Sequence, residues 1–96
     1  MPKPITDSNR LGDIAEHYVV TWLWDEGYEV FKNAGCTGCI DMIAVKNGVP
    51  VFIDVKSKGS LLNYGYSRTE EQKKLRVQII EFNAKTRKSK WVNHNE

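Results

Sequence analysis

The spacing of apolar and polar positions divides the chain into a long helix, three short strands, a second helix and a last strand. Leu11, Ile14, Ala15, Tyr18, Val19, Trp22 and Leu23 recur at helical spacing and form one broad stripe for burial. Asp7 or Ser8 can cap this helix, and Gly27 can end it near Glu26 in the left-handed conformation. Val20 and Trp24 carry apolar surface beyond the stripe, so the helix is either deeply buried or part of a subunit interface, and the small size of the domain favours a dimer. Tyr28 to Lys32 is rich in aromatic and β-branched residues and reads as a strand. Two apolar runs between Ile40 and Lys56 flank Asn47-Gly48, the residue pair that best tolerates the positive φ angles of a type I′ hairpin turn. Ser67-Arg68-Thr69-Glu70 and Thr69-Glu70-Glu71-Gln72 both fit a capping box, predicting a second helix that runs to about Asn83 or Ala84. Leu75, Ile79, Ile80, Phe82 and Ala84 would then face the sheet, and Ser89 to Asn93 would form the last strand. Strands one to three can pair as an antiparallel meander, and the second helix allows a right-handed crossover to a fourth strand parallel to the third.

A two-residue turn also sets the register of the hairpin. Lys46 faces Val49, and counting back pairs Val45 with Pro50, Ala44 with Val51, Ile43 with Phe52, Met42 with Ile53 and Asp41 with Asp54. Pro50 then falls at a non-hydrogen-bonded pair, where its missing N–H removes no bond. Asp54 and Lys56 share a face by strand alternation, and Asp41 joins them with its Cβ roughly 4.5–5 Å from that of Asp54. Two facing carboxylates repel. Val51, Phe52, Ile53 and Val55 give this strand an interior character, so the repulsion needs compensation, and a hard divalent cation beside Lys56 supplies it. On the first helix, Gly12 lies one turn before Glu16 and leaves room for a group to approach that carboxylate.

Charge sharpens this picture because it is unevenly divided. Met1 to Val55 holds four Lys/Arg against eight Asp/Glu, whereas Lys56 to Glu96 holds ten against four. An acidic half able to hold a cation and a basic half able to hold a polyanion fit a metal-dependent enzyme acting on nucleic acid. The 96 residues form one domain, and no apolar run approaches the ~20 residues of a membrane span. Met1 to Arg10 is polar and proline-containing, unlike a secretory signal, so an intracellular location is expected. Cys36 and Cys39 are the only cysteines, and His17 and His94 do not form a spaced pair, so the four ligands of a structural zinc site are lacking. The pair reads as small residues of a tight loop.

Gly12-x-x-x-Glu16 on the first helix, Asp41 in strand two and Asp54-Val55-Lys56 in strand three together resemble the PD-(D/E)XK nuclease superfamily. Within it, residues 9 to 93 are most similar to the small Holliday junction resolvases of archaea and phages, and secondarily to virus-type replication-repair nucleases. The resemblance implies an α/β, restriction-endonuclease-like αβββαβ core, a mixed four-stranded sheet flanked by helices. It implies that Asp41, Asp54 and the Val55 carbonyl bind Mg²⁺ or Mn²⁺, that Glu16 binds a metal or its water, and that Lys56 orients the attacking water. Gln72 matches a glutamine near the site in such proteins. Two departures stand out: Ile40 replaces the usual proline before the strand-two acid, and Asp54 replaces the commoner glutamate.

The expected function is a metal-dependent endodeoxyribonuclease cutting branched DNA as a homodimer, and the compact chain suggests a phage origin. Lys58, Tyr64, Tyr66, Arg68, Gln72 and Lys73 are the candidate nucleic-acid contacts, with the two tyrosines able to stack on bases. The alternatives are a repair or restriction-type nuclease acting on ends, flaps or mismatches, and a non-catalytic nucleic-acid-binding module. Intact Glu16, Asp41, Asp54 and Lys56 argue against the latter, since a pure binder has no use for facing aspartates.

Overall fold

Asp7, not Ser8, starts the first helix: its carboxylate accepts the N–H groups of Asn9 and Arg10, and α1 runs Ser8–Asp25. The computed structural model describes residues 6–35, 37–58 and 68–92. Cys36, Tyr64, Tyr66 and the side chain of Lys58 lie outside the described residues. Gly27 at φ +91 turns the chain after α1, as its backbone freedom allows. Three strands follow, β1 (Glu29–Lys32), β2 (Met42–Lys46) and β3 (Val49–Lys58). They pair antiparallel, and the five hairpin pairs from Lys46↔Val49 to Met42↔Ile53 are those counted from the turn. Asn47 and Gly48 both have positive φ, 55° and 76°, as a type I′ turn requires.

Beyond β3 the chain departs from expectation. The second helix, α2, spans only Glu70–Lys74, and Leu75 caps it before Arg76 turns left-handed at φ 56. Gln78–Asn83, expected as helix, is a strand, β4, parallel to β3; Lys88–Trp91 is β5, antiparallel to β4. The sheet therefore has five strands in the order β1-β2-β3-β4-β5, one more than expected. Burial decided this. Ile79 lies on one face of the sheet and Ile80 and Phe82 on the other, all fully buried, and β-branched residues suit such a doubly covered central strand. The capping box at Thr69 and Gln72 is present as predicted, but it marks where a helix begins and says nothing about its length.

The core lies between α1 and one sheet face, where Ala15, Val19, Val20 and Leu23 meet Met42, Ala44, Ile53, Ile80 and Phe82. Val20 thus belongs to the core, while Trp24 stays 59% exposed. Tyr18, expected within the buried stripe, is 41% exposed and stacks on Phe82 at 5.1 Å. No described helix is long and apolar enough to cross a membrane.

Candidate active site

The β2–β3 ladder ends at Met42↔Ile53, so Asp41 and Asp54 are not a rung of it as the register count had them. Asp41 N–H bonds the Ile53 carbonyl at 2.8 Å, and the Asp41 carbonyl accepts Asn33 N–H at 2.9 Å. The Asp41 carboxylate then takes the place of a backbone acceptor: its Oδ2 accepts Val55 N–H at 2.7 Å. A residue's N–H and C=O leave the same edge of a strand. The Val55 carbonyl therefore faces the same gap as Asp41.

Asp54 is 8% exposed, and its Oδ2 accepts the Gln72 amide at 2.9 Å and pairs with Lys56 Nζ at 3.2 Å. Burial pushes the Asp41 carboxyl up to about 6, against the lowering effect of Val55 N–H. Asp54 raises it further through a side-chain hydrogen bond and through its charge, and Glu16 adds through charge alone. The two aspartates are thus neighbours with surplus negative charge. Their oxygens suit a hard divalent cation, and one carboxylate oxygen on each is committed to the protein.

Glu16 borders this pair without closing on it. Its Oε1 pairs with Lys32 Nζ at 3.7 Å, and among the described residues no three acidic, histidine or cysteine side chains converge on one point. The space one turn away is open, since a Cβ on Gly12 would meet nothing within 4 Å.

The other expected residues divide. Lys56 is at the aspartates with its side chain 49% exposed. Lys73 pairs with Glu70 at 3.3 Å on α2, and Arg68 donates to the Val77 carbonyl at 3.2 Å, bracing the start of β4. Gln72 points inward: it is 6% exposed, donates to Asp54 and to the Cys39 carbonyl, and accepts Thr69 N–H. With both ends of its amide occupied inside the protein, it serves the aspartate and leaves nothing for a nucleic acid. Lys32 and Asn33 were not singled out from sequence. Their only signal was position, at the strand end and loop that lead to Asp41.

The profile of the archaeal Holliday junction resolvase family matches residues 7–94. No curated protein sequence matches the chain. Among solved structures, the chain superposes on a bacterial homing endonuclease, I-Ssp6803I, with a TM-score of 0.68 and 14% identity. The match covers 91% of this chain and 65% of that one, so this chain spans less than two thirds of its neighbour's length. At such identity the likeness is one of fold, an α/β fold with a mixed sheet of the restriction-endonuclease-like kind.

Proposed function

Because the chain belongs to the archaeal Holliday junction resolvase family, we propose that it is a Mg²⁺- or Mn²⁺-dependent endodeoxyribonuclease that hydrolyses phosphodiester bonds in branched DNA. The observation that carries this reading is the adjacency of Asp41 and Asp54 with Lys56, 3.2 Å from Asp54. A divalent cation held by Asp41, Asp54 and the Val55 carbonyl would polarise the scissile phosphate and lower the pKa of a water molecule. The remaining chemistry belongs to side chains. Lys56 has three donors and directs one at Asp54, so its exposed ammonium has others for a phosphate oxygen or the attacking water. Glu16 accepts a hydrogen bond from that water and helps orient it. Gln72 holds Asp54 and Val55 N–H holds Asp41, each in one orientation. Lys58, Tyr64, Tyr66, Arg68 and Lys73 are the proposed DNA contacts, by charge and by aromatic stacking. In a homodimer, two-fold symmetry presents two such sites to two strands of a junction.

The test is cleavage of a four-way junction, the matching duplex and single-stranded DNA, with Mg²⁺ or EDTA. Paired nicks on the junction that require Mg²⁺ and vanish in Asp54→Asn are the expected result. Metal-dependent cutting of linear DNA alone would make it a repair or restriction-type nuclease. A junction bound but never cut would leave a binding module.

A further inference from the structure

We infer that Asn33 is the positioning residue for Asp41, as Gln72 is for Asp54; this rests on the two aspartates being the cation-holding pair. Had the β2–β3 ladder continued past Met42↔Ile53, Ile40 would face Val55 and its carbonyl would take Val55 N–H. It does not. The Ile40 carbonyl accepts Asn33 Nδ2 at 2.9 Å, and Val55 N–H goes to the Asp41 carboxylate at 2.7 Å. Asn33 makes the exchange stable from both ends of its amide. Its Nδ2 also donates to the Thr37 carbonyl at 2.6 Å, and its Oδ1 accepts Gly35 N–H at 2.9 Å, closing a turn at the start of the loop. Its backbone N–H holds the Asp41 carbonyl at 2.9 Å.

The carbonyls of Cys39, Ile40 and Asp41 are therefore held in succession by the Gln72 side chain, the Asn33 side chain and the Asn33 backbone. The Ile40 carbonyl is part-buried, and once released by Asn33 it would compete for the strand N–H that continued pairing would give it, that of Val55. Asp41 would then lose the bond that orients its carboxylate. Asn33 touches no substrate; it acts through Ile40 and Val55.

Asn33→Asp separates this role from a merely structural one, because it keeps the acceptor for Gly35 N–H and the size of the side chain while removing both donated bonds. Asn33→Ala is the companion variant. In DNA-free protein, Mg²⁺ binding is measured by calorimetry, the Val55 amide is followed by NMR shift and hydrogen exchange, and DNA binding is measured in EDTA. Asn33→Asp is expected to weaken Mg²⁺ binding about 10-fold or more, the scale on which second-layer partners act, and to shift the Val55 amide, with DNA affinity in EDTA unchanged. Mg²⁺ binding within about twofold of wild type, or an unmoved Val55 amide, overturns the inference. Neither readout needs cleavage. Wild-type protein that cuts no DNA but shows both effects would sink the proposed function and leave the role of Asn33 standing.

Discussion

Asp41 carries the conflict between stability and function. Its carboxyl, raised from 3.8 to about 6 by burial and then by Asp54 and Glu16, binds its proton more tightly folded than unfolded. Between those values the folded state holds the extra proton, so metal-free stability falls as pH rises from about 4 to 6. Above 6 the full cost of ionising Asp41 is present. Urea midpoints across this range should show that slope in wild type and its loss in Asp41→Asn. After discounting for partial exposure, Asp41→Asn should stabilise the metal-free protein at pH 7 by about 1 kcal/mol, raising Tm by roughly 4–8 °C. On the proposed function the same variant should lower cleavage by on the order of 10³-fold, because it would remove one of the charged ligands of the cation. Mg²⁺ affinity should rise with pH up to about 6 and then level off, because the ion must displace that proton.

At the scale of elements, the site is assembled by short pieces that look unimportant alone. Helix α2 has five residues, too few to be stable by itself, yet it delivers Gln72 to Asp54 and to the Cys39 carbonyl. Gln72→Ala should cost about 1–3 kcal/mol for the buried groups it leaves unpaired. Metal affinity in that variant should fall about 10–100-fold, readable by Mg²⁺ titration. Gly12 in α1 gives a contrasting case, with open space where a Cβ would sit. Gly12→Ala should raise stability by about 1 kcal/mol through helix propensity alone, seen as a higher denaturation midpoint. Leu75, Ile79, Ile80 and Phe82 satisfy a helical spacing, but a continuous apolar run in a buried parallel strand satisfies the same pattern. Arg76 at φ 56, an ordinary residue in a left-handed turn, ends the helix without a glycine or proline to announce it.

Across the whole molecule, three lysines from the basic half of the chain share one face of the sheet. Lys56, Glu81 and Lys90 stand in register across β3, β4 and β5, and Asn83 pairs with Lys88 in the next row. Lys56, Lys88 and Lys90 are exposed, and alternation places them on the face that carries Asp54, away from α1. Adjacent strands are about 4.8 Å apart, so this row leads from the aspartates outwards by roughly 10 Å. Lys88→Ala with Lys90→Ala should weaken junction binding in EDTA. Measured against salt, the slope of the logarithm of affinity should fall by about 1–2, with the rate at saturating DNA kept. An unchanged slope would place the DNA on another face.

Sequence alone determined the things that depend on neighbours along the chain: the stripe of α1 and a cap at one of two adjacent residues, the turn at Asn47-Gly48, the hairpin register as far as Met42↔Ile53, and the nearness of Asp41, Asp54 and Lys56. Each follows from local backbone preference and alternation, which operate over a few residues. Tertiary structure decided the rest. Residues 78–83 became a strand because β3 offered an open edge and both of their faces could be buried. Asp41 is off its rung, with its N–H on the Ile53 carbonyl and the Ile40 carbonyl held by Asn33, and Gln72 is turned inward onto a buried aspartate and a loop carbonyl. Such choices depend on which unpaired groups meet when distant segments pack, and a hydrogen bond between residues 18 or 33 positions apart leaves no periodic trace in the sequence.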